Sequence, residues 1–549
     1  MFKAYLYVLI MFLVLIILGC QPVPSCPKGQ VLPENGDTCV ENYCADYSCG
    51  ENQHCVVLKN GADCKCDRGT IQSYDNSGNL LCKTNGDDED NELCKNNSAC
   101  VQNFSNIKIN KISRNNRFYV DVNNGNDNND GSLNHPWKTL QNVIDTKIQT
   151  REYDNLPFSD NSHLTDKNVN APVKSGDVIV LKQGNYGFLN INRAYNTDFI
   201  TIEGENNNVF LSGVKITGAS RFRLHNLNIT HDNSGYNKDN VLIGIRNDNY
   251  FGKVNYIVID ECNINSSADS SLWSLNDWLE KSANGIHSDG ENVMLFKNKL
   301  KNINVAISVK GNNSVVINNE VENFSEDGIR VLGSSNLIEN NVIQNCYNIN
   351  RNHNDGIQSF TANGVSVSNV IVRNNKIFGH IMMNYSSEGT VGLQGIGCFD
   401  GFYKNWRVEN NLIVVDNWHG ITFRGAENVK IVNNTVIDLN LDNSNNKPSP
   451  WIMIESHKDG RVSTNSVIRN NIIPNKVVAT NDTLAEYNYK TDINSIYDIF
   501  VDYDNYDFHL KGSASAIIDA GSSVLAPEID IDWKNRPRGN GIDIGAFEY

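Results

Sequence analysis

The stretch Val316-Ile317-Asn318-Asn319-Glu320-Val321 decides the fold, because its order of apolar, variable and asparagine positions returns along the chain, for example in Ile431-Val432-Asn433-Asn434-Thr435-Val436. The fourth position of this unit falls at Leu227, Cys262, Asn298, Asn319, Asn341, Asn375, Asn411, Asn434 and Asn471. Successive separations lie near 22 or near 36 residues, as expected if each repeat is one coil of a solenoid and some coils carry an extra loop. Alternating residues place apolar side chains inside, and asparagine tolerates left-handed backbone and can bond to the next coil. The pattern predicts an all-β parallel β-helix.

Composition limits the partners of this chain. The 549 residues include 63 Asp and Glu against 47 Lys and Arg, a net charge of −16, and nucleic-acid binders concentrate the opposite sign of charge. Hydrophobic residues make up 40% and charged residues 20%, so the chain has enough apolar material for a core. We expect a folded monomer with no nucleic-acid partner.

A second strand precedes each asparagine turn, and in each such strand an isoleucine follows glycine or alanine. If the isoleucine points inward, the residues one and three positions after it point outward, and the residue two positions before it can project the same way. Coils stacked about 4.8 Å apart then build three outer columns, which together we call the strip. The first column holds Asn284, Asp327, Asp355, Gln394 and His419, the second His287, Ser308, Arg330, Gln358 and Thr422, and the third Asp289, Lys310, Leu332, Phe360, Phe399 and Arg424.

Two interpretations of the strip remain open. Aspartate before glycine is common in turns, and exposed strands are polar in any case, so these residues could be purely structural. That interpretation explains less well why several cations share one surface with three carboxylates. Loops at 269–283, 348–354 and 379–392 flank the same coils, and the first carries Trp273 and Trp278. A charged surface walled by loops with aromatic residues suits an extended sugar polymer, so we favour a polysaccharide groove.

Residues 118–549 resemble the right-handed parallel β-helices of the pectate-lyase superfamily. The resemblance rests on the asparagine repeats, on Phe118-Tyr119-Val120-Asp121 followed by Lys138-Thr139-Leu140-Gln141, and on the C-terminal segment Gly541-Ile542-Asp543-Ile544-Gly545-Ala546-Phe547-Glu548-Tyr549. It implies a β-helix domain over residues 117–549 that cleaves an acidic polysaccharide by β-elimination. In that reaction the carboxylate beside C5 of a uronic acid is neutralised, a base takes the C5 proton, and an acid protonates the leaving oxygen.

The resemblance also implies roles for residues of the strip. Ca²⁺ or an arginine would neutralise the substrate carboxylate, and the expected oxygen ligands of Ca²⁺ are Asp289, Asp327 and Asp355. The expected catalytic residues are Lys310 or Arg330 as the base, and His419 or Arg424 in the remaining role. The residues expected to contact the polysaccharide are His287, Gln358, Gln394 and Phe360.

Three other functions fit the same strip. A glycoside hydrolase would use two carboxylates about 5 to 9.5 Å apart, and Asp327 and Asp355 on nearby coils could fit that requirement. A uronate epimerase would share the proton abstraction and differ in the reprotonation step. A non-catalytic carbohydrate-binding adhesin would need no chemistry, and a surface anchor would suit it.

The N-terminus indicates export. Lys3 precedes an apolar run at 6–18 that is too short to cross a bilayer comfortably. Ile17-Leu18-Gly19-Cys20 resembles the lipobox of bacterial lipoproteins, which implies a signal peptide at 1–19 and a lipid on Cys20 that holds the protein at the bacterial cell envelope or surface. An ordinary secretory signal or a short membrane anchor are the alternatives, and both also export the chain.

Ten of the fourteen cysteines fall between Cys26 and Cys100, and such density in an exported segment indicates a disulfide framework. The spacing in residues 20–84 resembles an EGF-like module, a small disulfide-rich domain. That resemblance implies bonds between Cys44 and Cys55, Cys49 and Cys64, and Cys66 and Cys82. Residues 85–116 then read as an acidic linker with a further cysteine pair, Cys94 and Cys100.

Overall fold

The structure is a computed structural model that describes residues 116–231, 239–349, 353–379, 392–439, 449–480, 482–492 and 494–549, and, before residue 116, the backbone of six short strands. The chain divides into two compact units, Met1–Asn97 and Ser98–Tyr549. The predicted signal peptide, Cys20 and residues 85–115 of the linker lie outside the described residues. Nothing is described of the side chains that would form the three expected disulfides.

The first unit contains three antiparallel strand pairs. The paired strands are Gln30–Val31 with Val40–Glu41, Gln53–Leu58 with Gly61–Cys66, and Thr70–Tyr74 with Leu80–Thr84.

The second unit is a parallel β-helix, as the repeats predict. Each coil contributes one strand to each of three parallel sheets, and every strand pairs with its counterpart in the coils before and after it. The sheet that carries the strip, the strip sheet, begins with the first parts of the long strands Phe188–Gly204 and Gly213–His225. It continues with Val241–Arg246, Asn284–Ser288, Ile307–Val309, Ile329–Val331, Asp355–Phe360, Gln394–Asp400, His419–Arg424, Trp451–Glu455 and Val477–Ala479.

The other two sheets complete each coil. The second sheet contains the later parts of the two long strands and Arg117–Val120, Val178–Leu181, Asn255–Asp260, Glu291–Phe296, Val315–Ile317, Leu337–Glu339, Ile371–Arg373, Arg407–Glu409, Lys430–Val432, Ser466–Arg469 and Thr483–Glu486. The third contains Gly184–Asn185, Val209–Leu211, Asn228–Thr230, Asn263–Asn265, Lys299–Ile303, Glu320–Phe324, Val342–Cys346, Lys376–Phe378, Leu412–Val415, Thr435–Asp438, Ile472–Ile473 and Tyr489–Lys490.

The predicted asparagines form a buried ladder at the turn between the second and third sheets. The Nδ2 of Asn319 donates to Asn341 Oδ1 at 3.0 Å, and the Nδ2 of Asn341 donates to Asn375 Oδ1 at 3.0 Å. The left-handed backbone belongs to the preceding residue, with φ of 58° at Asn318 and 52° at Asn340. The left-handed backbone and the hydrogen bond to the next coil, both expected of one asparagine, are therefore divided between two neighbouring asparagines. Cys262 lies buried in the ladder, as its spacing predicts.

The remaining elements lie around the coils. Short strands form a small parallel sheet of Ser366–Ser368, Phe402–Lys404 and Ala426–Glu427, and two antiparallel pairs, Thr150–Tyr153 with Leu164–Lys167 and Phe500–Asp502 with Asp507–Leu510. The helices are Leu140–Asn142, which continues as a π-helical turn Val143–Lys147, then Leu275–Lys281 and Ile496–Ile499. In the described parts of the chain, no helix is long and apolar enough to cross a membrane.

Candidate functional site

The register of the strip sheet brings the second predicted column together. His287 is opposite Ser308, Ser308 is opposite Arg330, and Arg330 is opposite Gln358. The column continues through Gly397 to Thr422. The isoleucines that precede these positions are fully buried, so the alternation read from the sequence is confirmed.

The glycine before each isoleucine makes room for the core. A Cβ at Gly328 would lie 2.6 Å from Cγ2 of Ile343, and one at Gly356 would lie 2.5 Å from Cγ2 of Ile377. Asp327 and Asp355 therefore each precede a glycine that the packing of the core requires. A Cβ at Gly397 would overlap Oδ1 of Asp355, so the Asp355 carboxylate lies over the second column.

The third column does not keep its predicted register. A β-bulge between the strands Asp355–Phe360 and Gln394–Asp400 places Phe360 opposite Asp400, and Phe399 becomes the extra residue. Because a bulge inserts one unpaired residue and bends the strand, strict alternation fails at this point. The Phe399 ring lies instead between two imidazoles, 5.7 Å from His353 and 4.8 Å from His419 between ring centroids.

Asp327 and Asp355 form a buried pair of carboxyl groups on adjacent coils. Asp327 Oδ1 accepts the backbone N–H of Asp355 at 3.0 Å, and its Oδ2 accepts from Arg330 Nε at 2.6 Å. Burial raises the pKa of the Asp327 carboxyl, against the lowering effect of Arg330, and Asp355 raises that pKa further. Burial also raises the pKa of Asp355, although His353 and Gln358 donate hydrogen bonds to it. The pair therefore retains a proton to a higher pH than ordinary carboxyl groups do.

His353 is the residue that the sequence analysis missed. Its Nδ1 lies 3.3 Å from Asp355 Oδ2, and its side chain is 55% exposed. The hydrogen bond that His353 donates to Asp355 raises the pKa of His353, against the opposing effect of burial. An imidazole that donates through Nδ1 to a carboxylate presents Nε2 to the solvent as a proton acceptor. The signal available in the sequence was its place in the loop 348–354, already noted beside the strip, although spacing gives no side-chain direction there.

Arg330 and His419 are held by neighbours that restrict their chemistry. Arg330 bonds to Glu326 at 2.6 Å as well as to Asp327, so its charge is already matched by two carboxylates. Trp451 Nε1 donates to His419 Nδ1 at 3.2 Å, and because indole only donates, this bond leaves the histidine proton on Nε2. Burial and the nearby Arg424 lower the pKa of His419 to about 4. His419 is therefore a neutral hydrogen-bond donor at neutral pH.

The other predicted substrate contacts lie along the same surface. Gln358 Nε2 donates to Asp355 Oδ2 at 2.8 Å, whereas Gln394 Oε1 is buried with no hydrogen-bond partner. His287 is mostly buried, and burial lowers its pKa to about 3, helped by Arg246 and Arg330. Phe360 is 40% exposed and lies 5.9 Å from the Arg330 guanidinium.

The remaining charged candidates lie at the two ends of the strip. Lys310 is exposed, and Arg424 pairs with Glu455 at 3.3 Å. Asp289 faces Arg246 at 3.4 Å and lies two coils from Asp327. The structure thus brings Arg330, Asp327 and Asp355 together with the Gln358 and Gln394 amides, and it leaves Lys310, Asp289 and Arg424 at the margins.

The three aspartates predicted to bind calcium do not converge. Ca²⁺ takes six to eight oxygen ligands. In the described part of the chain, no three or more His, Cys, Asp or Glu side chains are grouped so that they could hold a metal ion. The Asp327 carboxylate already pairs with Arg330, and Asp289 lies two coils away from Asp327. The donor set does not fit a calcium ion, and calcium stays a prediction without a site.

The first flanking loop does not present its tryptophans as expected. Trp278, on the helix Leu275–Lys281, is fully buried and stacks on Tyr347 with centroids 4.3 Å apart. Trp273 packs on the edge of Trp278 at 4.9 Å. These rings hold the loop to the coils, because an apolar ring in a loop is stabilised by burial. The exposed indole near the strip is that of Trp418.

Comparisons with known proteins agree with this architecture. A family model described as a right handed beta helix region matches residues 284–447, which include the six coils that carry the strip. No curated protein matches the sequence. Together with the stacked coils, the family match defines the class: the second unit is a right-handed parallel β-helix.

The solved structures that match this chain are distant from it in sequence. A pectate lyase, Pel9A, is 15% identical, covering 79% of this chain and 96% of its own, with a TM-score of 0.40. An alginate lyase of family PL6, AlyGC, is 15% identical over 59% of this chain and 51% of its own, with a TM-score of 0.35. A lacto-N-biosidase of family GH136 from Eubacterium ramulus is 11% identical over 68% of each chain, with a TM-score of 0.34.

Proposed function

We propose that the strip binds an acidic polysaccharide and that His353, held by Asp355, transfers the proton in a β-elimination. The observation that carries this proposal is the half-exposed imidazole bonded through Nδ1 to a fully buried carboxylate, at the edge of a surface lined by polar and aromatic groups. A base with a pKa near the working pH is the most effective proton acceptor.

The reaction follows from this arrangement. Asp355 accepts the Nδ1–H and fixes the tautomer, so Nε2 of His353 takes the C5 proton of a uronic acid. The electrons form the C4–C5 double bond while the C4–O bond breaks, and the leaving oxygen takes a proton from the imidazolium or from water. Lys310 and Arg424, on either side of His353 along the strip, supply positive charge for the carboxylates of the polymer.

Arg330 serves this site by matching charge and not as the base. Its guanidinium is bound to Glu326 and Asp327, and an arginine held between two carboxylates gives up its proton less readily than a free one. His353 is therefore the base in place of Arg330, and Arg330 holds the carboxyl groups of Asp327 and Asp355 in position.

Binding without catalysis is the second candidate function. It is favoured by the burial of Asp327 and Asp355, which leaves neither carboxyl group in contact with solvent. The same burial makes these groups poorly placed for glycoside hydrolysis, in which both carboxyl groups must reach the sugar.

Turnover of polyuronates tests the proposal. The purified protein is incubated with a panel of uronic-acid and neutral polysaccharides, and unsaturated products are followed by ultraviolet absorbance. We expect cleavage of a polyuronate and a loss of at least ~10²-fold in His353→Gln, as expected when a general base is removed. His163→Gln is the matched control, because His163 is exposed and lies 3.8 Å from Asp154 away from the strip. Unchanged turnover in His353→Gln would rule out this base, and binding without turnover in the wild type would favour the adhesin.

We also propose that the protein is exported and held at the bacterial surface as a monomer by a lipid on Cys20, with the cysteine-rich module as a spacer. Cys20→Ser should move the protein from the membrane fraction to the soluble fraction. Membrane fractionation that does not change in a cleaved, unlipidated Cys20→Ser protein would contradict the anchor.

A further inference from the structure

One end of the strip carries a pair of parallel indoles that the proposed reaction does not use. The ring centroids of Trp418 and Trp451 are 5.9 Å apart, and their planes differ by 12°. Trp418 is 44% exposed, whereas Trp137, Trp278 and Trp406 are buried in the core. Burying an indole is strongly favourable, so two partly exposed parallel indoles beside the polar strip indicate a surface that meets a ligand.

The neighbours of this pair hold it rigidly. The bond from Trp451 Nε1 to His419 Nδ1 fixes one indole, and the His419 ring packs edge-on against both indoles, with centroids 5.1 Å from Trp451 and 5.8 Å from Trp418. Rigid aromatic surfaces bind ligands at a low cost in conformational entropy.

A single cation accompanies the aromatic surface. The Lys476 ammonium lies 5.5 Å from the centroid of the Trp451 ring, and Lys476 is exposed. In the part of the chain that the structure describes, no carboxylate pairs with this ammonium. The site therefore combines a flat apolar surface with one positive charge that is free to meet an anion.

We infer that Trp418, Trp451 and Lys476 form a subsite for one uronic-acid unit of the polysaccharide. The apolar C–H face of the pyranose ring stacks on the exposed indole of Trp418, and its carboxylate pairs with Lys476. This inference rests on the proposed polysaccharide function, because it assigns the same polymer a second point of contact.

The subsite lies at the right distance for one polymer chain. Aromatic rings run without a gap from His353 through Phe399 and His419 to Trp451. The strand that contains Trp451 lies three coils beyond the strand that contains Asp355, about 14 Å along the helix axis at about 4.8 Å per coil. A polymer that reaches both sites spans a few sugar units and runs along the axis.

Equilibrium binding of oligouronates tests the subsite, with the full chain carrying His353→Gln so that the ligand stays intact. In that background we expect Trp418→Ala to weaken binding of a long polyuronate oligomer about 10-fold, the equivalent of about 1.4 kcal/mol. Lys476→Gln should weaken it about threefold, as for an exposed ion pair, and added salt should abolish the difference. Neither substitution should alter the fold or its stability, and circular dichroism and thermal unfolding would check this.

Two variants serve as controls. Tyr250→Ala removes an exposed ring at another site, and Lys299→Gln removes an exposed cation on the third sheet. Both should bind as the parent does. Equal binding by Trp418→Ala and its parent would overturn the subsite even if His353→Gln abolishes turnover. Weakened binding by Trp418→Ala, in a protein whose wild type cleaves nothing, would keep the subsite and refute only the reaction. Failure of every polyuronate to bind would overturn both.

Discussion

The asparagine ladder and the strip lie on the same coils, and they differ in the residues that they present from one coil to the next. The ladder repeats one residue type, and each asparagine is satisfied by the next coil, as in the bonds from Asn319 to Asn341 and from Asn341 to Asn375. The strip varies its residue types from coil to coil and leaves polar atoms without partners, among them Asp355 Oδ1 and Gln394 Oε1.

This difference indicates that, within one coil, the ladder contributes to stability and the strip contributes to function. A buried polar group is stabilising only when all its hydrogen bonds are made, and the ladder meets that condition. Unsatisfied buried groups cost free energy, so the strip is kept at a cost in stability that the ladder avoids. Substitutions that disrupt either the ladder or the strip test this distinction.

Asn341→Ala should give the largest effect. The Asn341 side chain is fully buried; it donates to Val316 O and Asn375 Oδ1, and its Oδ1 accepts from the backbone and side-chain N–H groups of Asn319. Removing it leaves several buried groups unpaired, and we expect the free energy of unfolding to fall by about 4 kcal/mol. Urea denaturation measures this value. Asn128→Ala, in an exposed turn, should change it by less than about 0.5 kcal/mol, and equal effects would contradict the role of the ladder.

Gly397→Ala should affect the strip more than the fold. Its new methyl group would overlap Asp355 Oδ1 and lie 2.6 Å from Phe399 Cε2, so it must displace the carboxylate that orients His353. We expect turnover of the polyuronate to fall about 10-fold, since misplacing a catalytic group costs rate steeply. Gly244→Ala is the matched control in the same column, where the nearest atom to the new methyl group is 3.9 Å away. Equal activity of the two variants would argue against the placement of Asp355.

Chelation should have the smallest effect. Because Asp289 pairs with Arg246 and Asp327 with Arg330, the carboxylates of the strip are matched by cations of the protein itself. We expect a chelator to change turnover less than about twofold, within the range of a screened surface interaction. A large loss that added Ca²⁺ restores would reinstate the calcium site expected from the sequence.

Periodicity made the fold and the columns predictable. Regular spacing fixes which residues share a face, so the ladder and the pairing of His287, Ser308, Arg330 and Gln358 follow from the sequence. Periodicity could not reveal the bulge at Phe399, because one inserted residue leaves no trace in the composition.

The contacts of long side chains and of residues outside the repeat could not be predicted from the sequence, for a different reason. The partner of Arg330 depends on rotamers, and the sequence does not show that Glu326 and Asp327 hold it. His353 lies in a loop outside the repeat, where spacing gives no direction for the side chain. Trp278 lies on the short helix Leu275–Lys281, also outside the repeat, and its burial depends on Tyr347 from another coil.

The pH dependence of kcat/KM in the wild type and in Asp355→Asn tests the central claim most directly. His353 must be unprotonated to act as a base, and Asp355 raises its pKa above the usual 6.5, so kcat/KM of the wild type should rise with pH through a value above 6.5. Asp355→Asn removes the charge that raises this pKa, and the rising limb should move to lower pH while the maximal rate falls. A limb at the same pH in both proteins would contradict the account, because the proton acceptor would then not be the imidazole that Asp355 holds.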